Sequence, residues 1–136
     1  MIVADSNIVV YLVFSTTDTG IAEEVWRRDR EWVVPSLFFS EVMSAFGIAH
    51  RRRLCTFDEA AAAIERAAGV VIGSSRPVSA RTVLELSRDS GCTTYDCEYV
   101  ALAIALGVPL VTADRAVLRA FPTIAIAPKD FAARAP

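Results

Sequence analysis

Apolar and polar positions alternate along this chain in two rhythms. Short, mainly apolar runs read as buried strands: Ile2-Val3-Ala4 running into Asp5, Trp32-Val33-Val34, Leu110-Val111-Thr112-Ala113-Asp114 and Thr123-Ile124-Ala125-Ile126. Between them, apolar residues recur at helical spacing. After Asp5, with Ser6 or Asn7 as cap, come Ile8, Val9, Tyr11 and Leu12; Asp18 or Thr19 opens a second helix through Ile21, Ala22, Val25 and Trp26. Pro35 is expected to stop the second strand and Ser36 to cap a helix reaching about Arg52. Its stripe is Phe38, Val42, Ala45, Phe46 and Ala49. Thr56 and Glu59 are spaced as a capping box for a helix with Phe57, Ala60, Ile64 and Ala68 on one face. Residues 73–77 read as a loop. Ser79 caps a helix ending at Gly91, and a threonine cap and Gly107 bound a helix carrying Tyr95 to Leu106. A short helix follows from Arg115 to Phe121, and residues 128–136 are expected to hold one helical turn at most. This alternation predicts an α/β fold: a central, mostly parallel sheet of four or five strands flanked by helices, in one domain over residues 1–136.

Two of the strands run into an acid, Asp5 and Asp114. In open parallel sheets the ligand crevice lies at the carboxyl ends of the strands. Glu41 falls on the apolar stripe of its helix. Asp96 lies in the first turn of its own, where the helix dipole stabilises a carboxylate, with Tyr99, Val100 and Ala103 on the same face; Glu98 points away. Four acids converging without a basic partner repel: one like-charge pair at ~4 Å and an effective dielectric near 20 costs ~4 kcal/mol. Protons or a cation must relieve this. All-oxygen ligands favour Mg²⁺ or Mn²⁺ over zinc, for which the one histidine and three scattered cysteines offer no spacing. Such a site suits phosphodiester hydrolysis by a metal-activated water.

Composition adjusts this picture. With 54% hydrophobic residues and a mean hydropathy of +0.41, the chain has apolar surface to offer a partner or a second copy. A formal charge of −2 gives no global attraction to nucleic acid, so a polyanion has to be met locally. The run His50-Arg51-Arg52-Arg53 complements a helix C-terminus and offers one phosphate contact surface. The first basic residue is Arg27, so no secretory leader is expected. The longest apolar run, residues 99–111, is shorter than the ~18 residues of a membrane span. Cys55, Cys92 and Cys97 lack a disulfide pattern and read as reduced thiols of a cytoplasmic protein. A lone His50 excludes a two-histidine ribonuclease mechanism, and no G-x-S-x-G turn marks a serine hydrolase. An aspartyl-phosphate site wants a second acid where Asn7 stands.

Four motifs carry a resemblance: Val3-Ala4-Asp5-Ser6-Asn7, Ser40-Glu41-Val42, Thr94-Tyr95-Asp96 with Tyr99-Val100-Ala101-Leu102-Ala103, and Leu110-Val111-Thr112-Ala113-Asp114. In this order and spacing the chain resembles PIN-domain ribonucleases, specifically VapC-type toxins of bacterial toxin–antitoxin pairs. Cys97 departs from the small residue usual there. The resemblance implies a PIN-like three-layer fold and a Mg²⁺- or Mn²⁺-dependent endoribonuclease acting on tRNA or ribosomal RNA. It implies an acidic site of Asp5, Glu41, Asp96 and Asp114 supported by Ser6, Asn7 and Thr112, a homodimer, and a cognate antitoxin. A catalytically silent binding module of the same fold is the alternative.

Overall fold

The computed structural model describes residues 1–71 and 75–134. In chain order the elements are β1 (Ile2–Ala4), α1 (Ser6–Val13), α2 (Thr19–Arg28), β2 (Trp32–Pro35), α3 (Phe38–Arg51), α4 (Phe57–Val70), β3 (Ser75–Arg76), α5 (Ala80–Ser90), α6 (Thr94–Leu106), β4 (Leu110–Val111), α7 (Arg115–Ala120), β5 (Ala125–Ile126) and α8 (Pro128–Ala133). Strands β2, β1, β4 and β5 form an all-parallel central sheet, and the two-residue β3 extends it at the β2 edge, giving the order β3-β2-β1-β4-β5. The chain builds outward from β1 in one direction and then returns to build outward in the other. The two directions part between β1 and β4, which pair Val3 with Leu110 and Ala4 with Val111. A sheet of this kind opens its crevice at that switch point, beyond the carboxyl ends of the strands.

Strand side chains point alternately to the two faces, and this splits the core. Ile2, Ala4, Trp32 and Val34 pack with Ile8, Val25, Phe38, Val42 and Phe46 under α1 to α4. Val3, Val33 and Leu110 pack with Val83, Val100 and Val117 under α5, α6 and α7. The result is three layers, helices on both sides of one sheet.

Local signals placed several boundaries correctly. Thr56 and Glu59 make the reciprocal capping box, Glu59 N–H to Thr56 Oγ1 at 3.2 Å and Thr56 N–H to Glu59 Oε2 at 2.7 Å. Ser79 Oγ accepts from Thr82 N–H at 3.4 Å to start α5. Gly91 and Gly107 end their helices in the left-handed conformation, at φ 74° and 65°.

Other expectations need correction. Pro35 is the last residue of β2, opposite Arg76, because proline lacks only the donor and is tolerated at a strand end. Ser36 does not cap α3, which begins at Phe38 without a side-chain cap. Within α3, Ala45 is exposed. In α4 the buried face is Ala60, Ala63 and Ala67. Phe57, the first residue of α4, is 70% exposed and off that face, with its ring edge-on to His50 at 6.0 Å between centroids. Of the loop expected at residues 73–77, Ser75 and Arg76 form β3, while residues 73 and 74 lie outside the described residues. The tail holds a six-residue helix, α8, started by Pro128 and anchored by buried Phe131.

The glycines give a paired stability test. Gly107 has space for a methyl group but a positive φ, whereas Gly69 sits in α4 with open space and no such φ. Gly107→Ala is expected to cost about 1–2 kcal/mol, and Gly69→Ala to gain about 0.5–1 kcal/mol, both read from urea unfolding midpoints.

Candidate active site

Asp5 follows the last residue of β1, and its backbone N–H donates to Val111 O at 3.0 Å, extending the pairing with β4 by one step. It stands at the N-cap position of α1, yet its side chain caps nothing. Neither Ser6 nor Asn7 caps the helix; both lie inside it. The Asp5 carboxylate is held by side chains instead. Its Oδ2 accepts from Thr112 Oγ1 at 2.5 Å and Asn7 Nδ2 at 2.9 Å, and its Oδ1 accepts from Ser6 Oγ at 3.3 Å. Thr112 is fully buried, and its Oγ1 also accepts from Asp114 N–H at 2.9 Å. Asn7 Oδ1 accepts from Ala113 N–H at 3.3 Å. The segment after β1 and the segment after β4 are thus fastened to each other at the switch point.

Glu41 arrives from the first turn of α3. Its Oε2 accepts from the Tyr99 hydroxyl of α6 at 2.5 Å, and Tyr99 is only 2% exposed. Burial raises the Asp5 carboxyl and the charge of Glu41 raises it further; hydrogen bonds from Thr112, Asn7 and Ser6 oppose both, and the result is a pKa pushed up to about 6. Burial, and then donation to Glu41 and the charges of Glu41 and Asp5, push the Tyr99 phenol far above the ordinary tyrosine range. Glu98 corrects the sequence reading. It is half-buried, and its pKa is raised by burial and by the charge of Glu41, so it belongs to the acidic neighbourhood. Helix α6 buries Cys97, Tyr99, Val100, Ala101, Leu102 and Ala103, nearly its whole circumference, so spacing alone gave no outward face on which to place Glu98.

Asp96 and Asp114 are engaged with helix starts. Asp96 Oδ2 accepts from Thr93 Oγ1 at 2.6 Å and Thr93 N–H at 3.3 Å, while Asp96 N–H donates to Thr93 Oγ1 at 3.1 Å. Asp114 caps α7, its Oδ1 accepting from Ala116 and Val117 N–H at 2.7 and 3.0 Å. The structure therefore brings Asp5 into the field of Glu41 and ties Asp114 to it through Thr112. It turns the Asp96 carboxylate back onto Thr93. Among the described residues, no three His, Cys, Asp or Glu side chains are grouped so as to hold a metal ion. His50 lies at the other end of α3 from Glu41, with Nδ1 3.2 Å from Cys55 O.

The three outer carboxylates share one feature. One oxygen is anchored by a protein donor, and the other, Glu41 Oε1, Asp96 Oδ1 or Asp114 Oδ2, carries no hydrogen bond from the described residues. Asp5 is similar, its Oδ1 receiving only Ser6. The groups acting on Asp5 include a second carboxylate and no cation. A carboxylate with one oxygen free suits a hard divalent cation, which takes carboxylates one oxygen at a time and keeps water, although among the described residues these acids are not gathered into a three-ligand group.

The PIN domain family model matches residues 2–122. No curated protein matches the chain. Among solved structures, the crystal structure of PAE2754 from Pyrobaculum aerophilum is similar, with a TM-score of 0.71 over 97% of this chain and 96% of that chain, at 22% sequence identity. At that identity the likeness is one of fold.

Asp5 couples protonation to the stability of the metal-free protein. Its carboxyl binds a proton more tightly folded than unfolded, so its contribution is full below pH 3.8 and is lost as pH rises to about 6. The loss is about 3 kcal/mol. Asp5→Asn removes it. In EDTA, the melting temperature of wild type minus that of Asp5→Asn is expected to fall between pH 4 and pH 7 and then level off. A difference independent of pH contradicts the raised carboxyl.

Proposed function

The chain belongs to the PIN domain family, and from that premise we propose that it is a metal-dependent endoribonuclease, the toxin of a toxin–antitoxin pair. PIN domains are generally nuclease-related, and the nucleases among them act on RNA and use divalent metals. The observation that carries the reading is Asp5: a half-buried carboxylate at the switch point, in the field of Glu41, with a raised pKa and no basic side chain among the groups acting on it.

In this reading Asp5 and Asp96 would hold Mg²⁺ or Mn²⁺ with Glu41 and Asp114 completing the acidic set, some of the four through water, since Mg²⁺ takes few carboxylates directly. The ion, when bound, lowers the pKa of a water and polarises the phosphate. The chain supplies orientation. Thr112 and Asn7 donate to Asp5 Oδ2, which favours the ionised carboxylate against its burial and leaves Oδ1 for the ion. Tyr99 fixes Glu41 through Oε2 and leaves Oε1 without a hydrogen bond from the described residues, so that Glu41 would be able to take a proton from a water bound in the site. Asp114, held by the start of α7, presents Oδ2 from the β4 side.

Exposed Met43, Leu54 and Phe57, the last two at 68% and 70%, give the α3–α4 region apolar surface that an antitoxin or a second copy covers in our reading. No helix among the described residues is long and apolar enough to cross a membrane; we place the protein with its tRNA or ribosomal RNA substrate in the cytoplasm. One observation favours a silent binding module instead, the lack of a ready-made three-acid group. Growth arrest on expression, relieved by Asp5→Ala, decides against the silent module.

Cleavage of cellular RNA is expected to stop in excess EDTA and to return with Mg²⁺ or Mn²⁺. Asp5→Asn and Asp96→Asn should fold, by circular dichroism, and leave no measurable cleavage; undiminished cleavage in EDTA refutes the mechanism. Tyr99→Phe is expected to weaken Mg²⁺ binding about 10-fold, measured by calorimetry, because the carboxylate it orients loses its anchor.

A further inference from the structure

Beside the acidic site lies a cleft of about 510 Å³, walled by α1, α2, α7 and the start of α8. The two share a boundary. Ala113 lines the cleft and is bonded through its N–H to Asn7, the residue that holds Asp5. Arg115, the residue after Asp114, is at its rim. Tyr11 lies one turn beyond Asn7 on α1, half-buried against the core, and contributes the cleft's aromatic wall. Its phenol feels the charges of both Asp18, in the cleft, and Asp5, in the acidic site.

The chemistry of the lining narrows the occupant. Tyr11 and the apolar Ile21, Leu118 and Pro128 form walls, while the cations Arg115 and Lys129 are matched by Asp18 and Asp130. A cleft of balanced charge is no phosphate trap. A flat, partly apolar, partly hydrogen-bonding ring suits it, and the volume is in the range of small-molecule sites, roughly 300–1,000 Å³. Single-stranded RNA is read by splaying out bases and stacking them on aromatic side chains. Arg115 and Lys129 line the cleft and are exposed, so each is free to reach a phosphate beside such a base.

We propose that this cleft seats the nucleobase adjoining the scissile phosphate, with Tyr11 stacked on the base and Arg115 contacting the neighbouring phosphate. The proposal rests on the ribonuclease reading and gives it a subsite that selects where the RNA is cut.

The experiment uses the full chain and an RNA oligomer whose wild-type cut has been mapped. Tyr11→Ala is expected to raise KM about 10-fold. On RNA made abasic beside the cut, the same substitution should cost less than about 2-fold, since there is no ring to stack. Tyr11→Phe restores KM on intact RNA. Arg115→Glu, at an exposed position that leaves folding intact, raises KM and flattens the salt dependence. An equal penalty on intact and abasic RNA, or Tyr11→Phe as impaired as Tyr11→Ala, overturns the subsite. If wild type cuts no RNA, the ribonuclease reading fails, and the cleft is judged separately. Metal-free protein is titrated into oligomers carrying 2-aminopurine. Quenching by wild type and Tyr11→Phe but not Tyr11→Ala supports base seating, and no quenching by wild type overturns it.

Discussion

The hydrogen bond from Thr112 to Asp5 joins positions 107 residues apart, and the acidic site is built around it. Thr112 is the one polar side chain in the buried set of the described residues. A hydroxyl in that position is costly unless it is satisfied. Here it is, donating to Asp5 and accepting from Asp114 N–H and, at 3.5 Å, from Asn7 Nδ2. It also gives the half-buried Asp5 carboxylate a donor that offsets part of its desolvation. The pairing of β1 with β4 brings the two together: Asp5 and Thr112 each follow directly from a paired strand residue, Ala4 and Val111.

Around this pair the carboxylates divide their oxygens between structure and chemistry. Thr93 restrains Asp96, the first turn of α7 restrains Asp114, and Tyr99 restrains Glu41. An exposed carboxylate turns freely about its last bonds, and ordering it on a ligand costs side-chain entropy. These three have lost that freedom already. The elements that end the strands or start the helices are therefore also the ones that aim the acids.

What could be read from the chain was whatever a short stretch encodes by itself. The strand leading into Asp5, the capping pair Thr56 and Glu59, the threonine before α6 and the glycines after α5 and α6 all depend on neighbours within a few residues; the strand expected to run into Asp114 instead ends at Val111, and Asp114 caps α7. Glu98 and Tyr99 do not. Their partner Glu41 lies 58 residues from Tyr99, and a helix buried on nearly every side gives no polar stripe from which to orient them. Phe57 misled for the opposite reason: ring hydrophobicity suggested burial, but the face that α4 buries is Ala60, Ala63 and Ala67. The cleft at Tyr11 was invisible because it exists only where α1, α2, α7 and α8 meet.

The order of the strands has a consequence for the nascent chain. Residues 2–4 leave the ribosome long before residues 110–111, yet as β1 they occupy the middle of the sheet and stay open on one side until β4 emerges. Asp5 lacks its threonine for the same interval. Pairings this distant in sequence form late and slowly. During synthesis, then, the polypeptide carries its first acid long before it carries the strand and threonine that complete the acidic site around it.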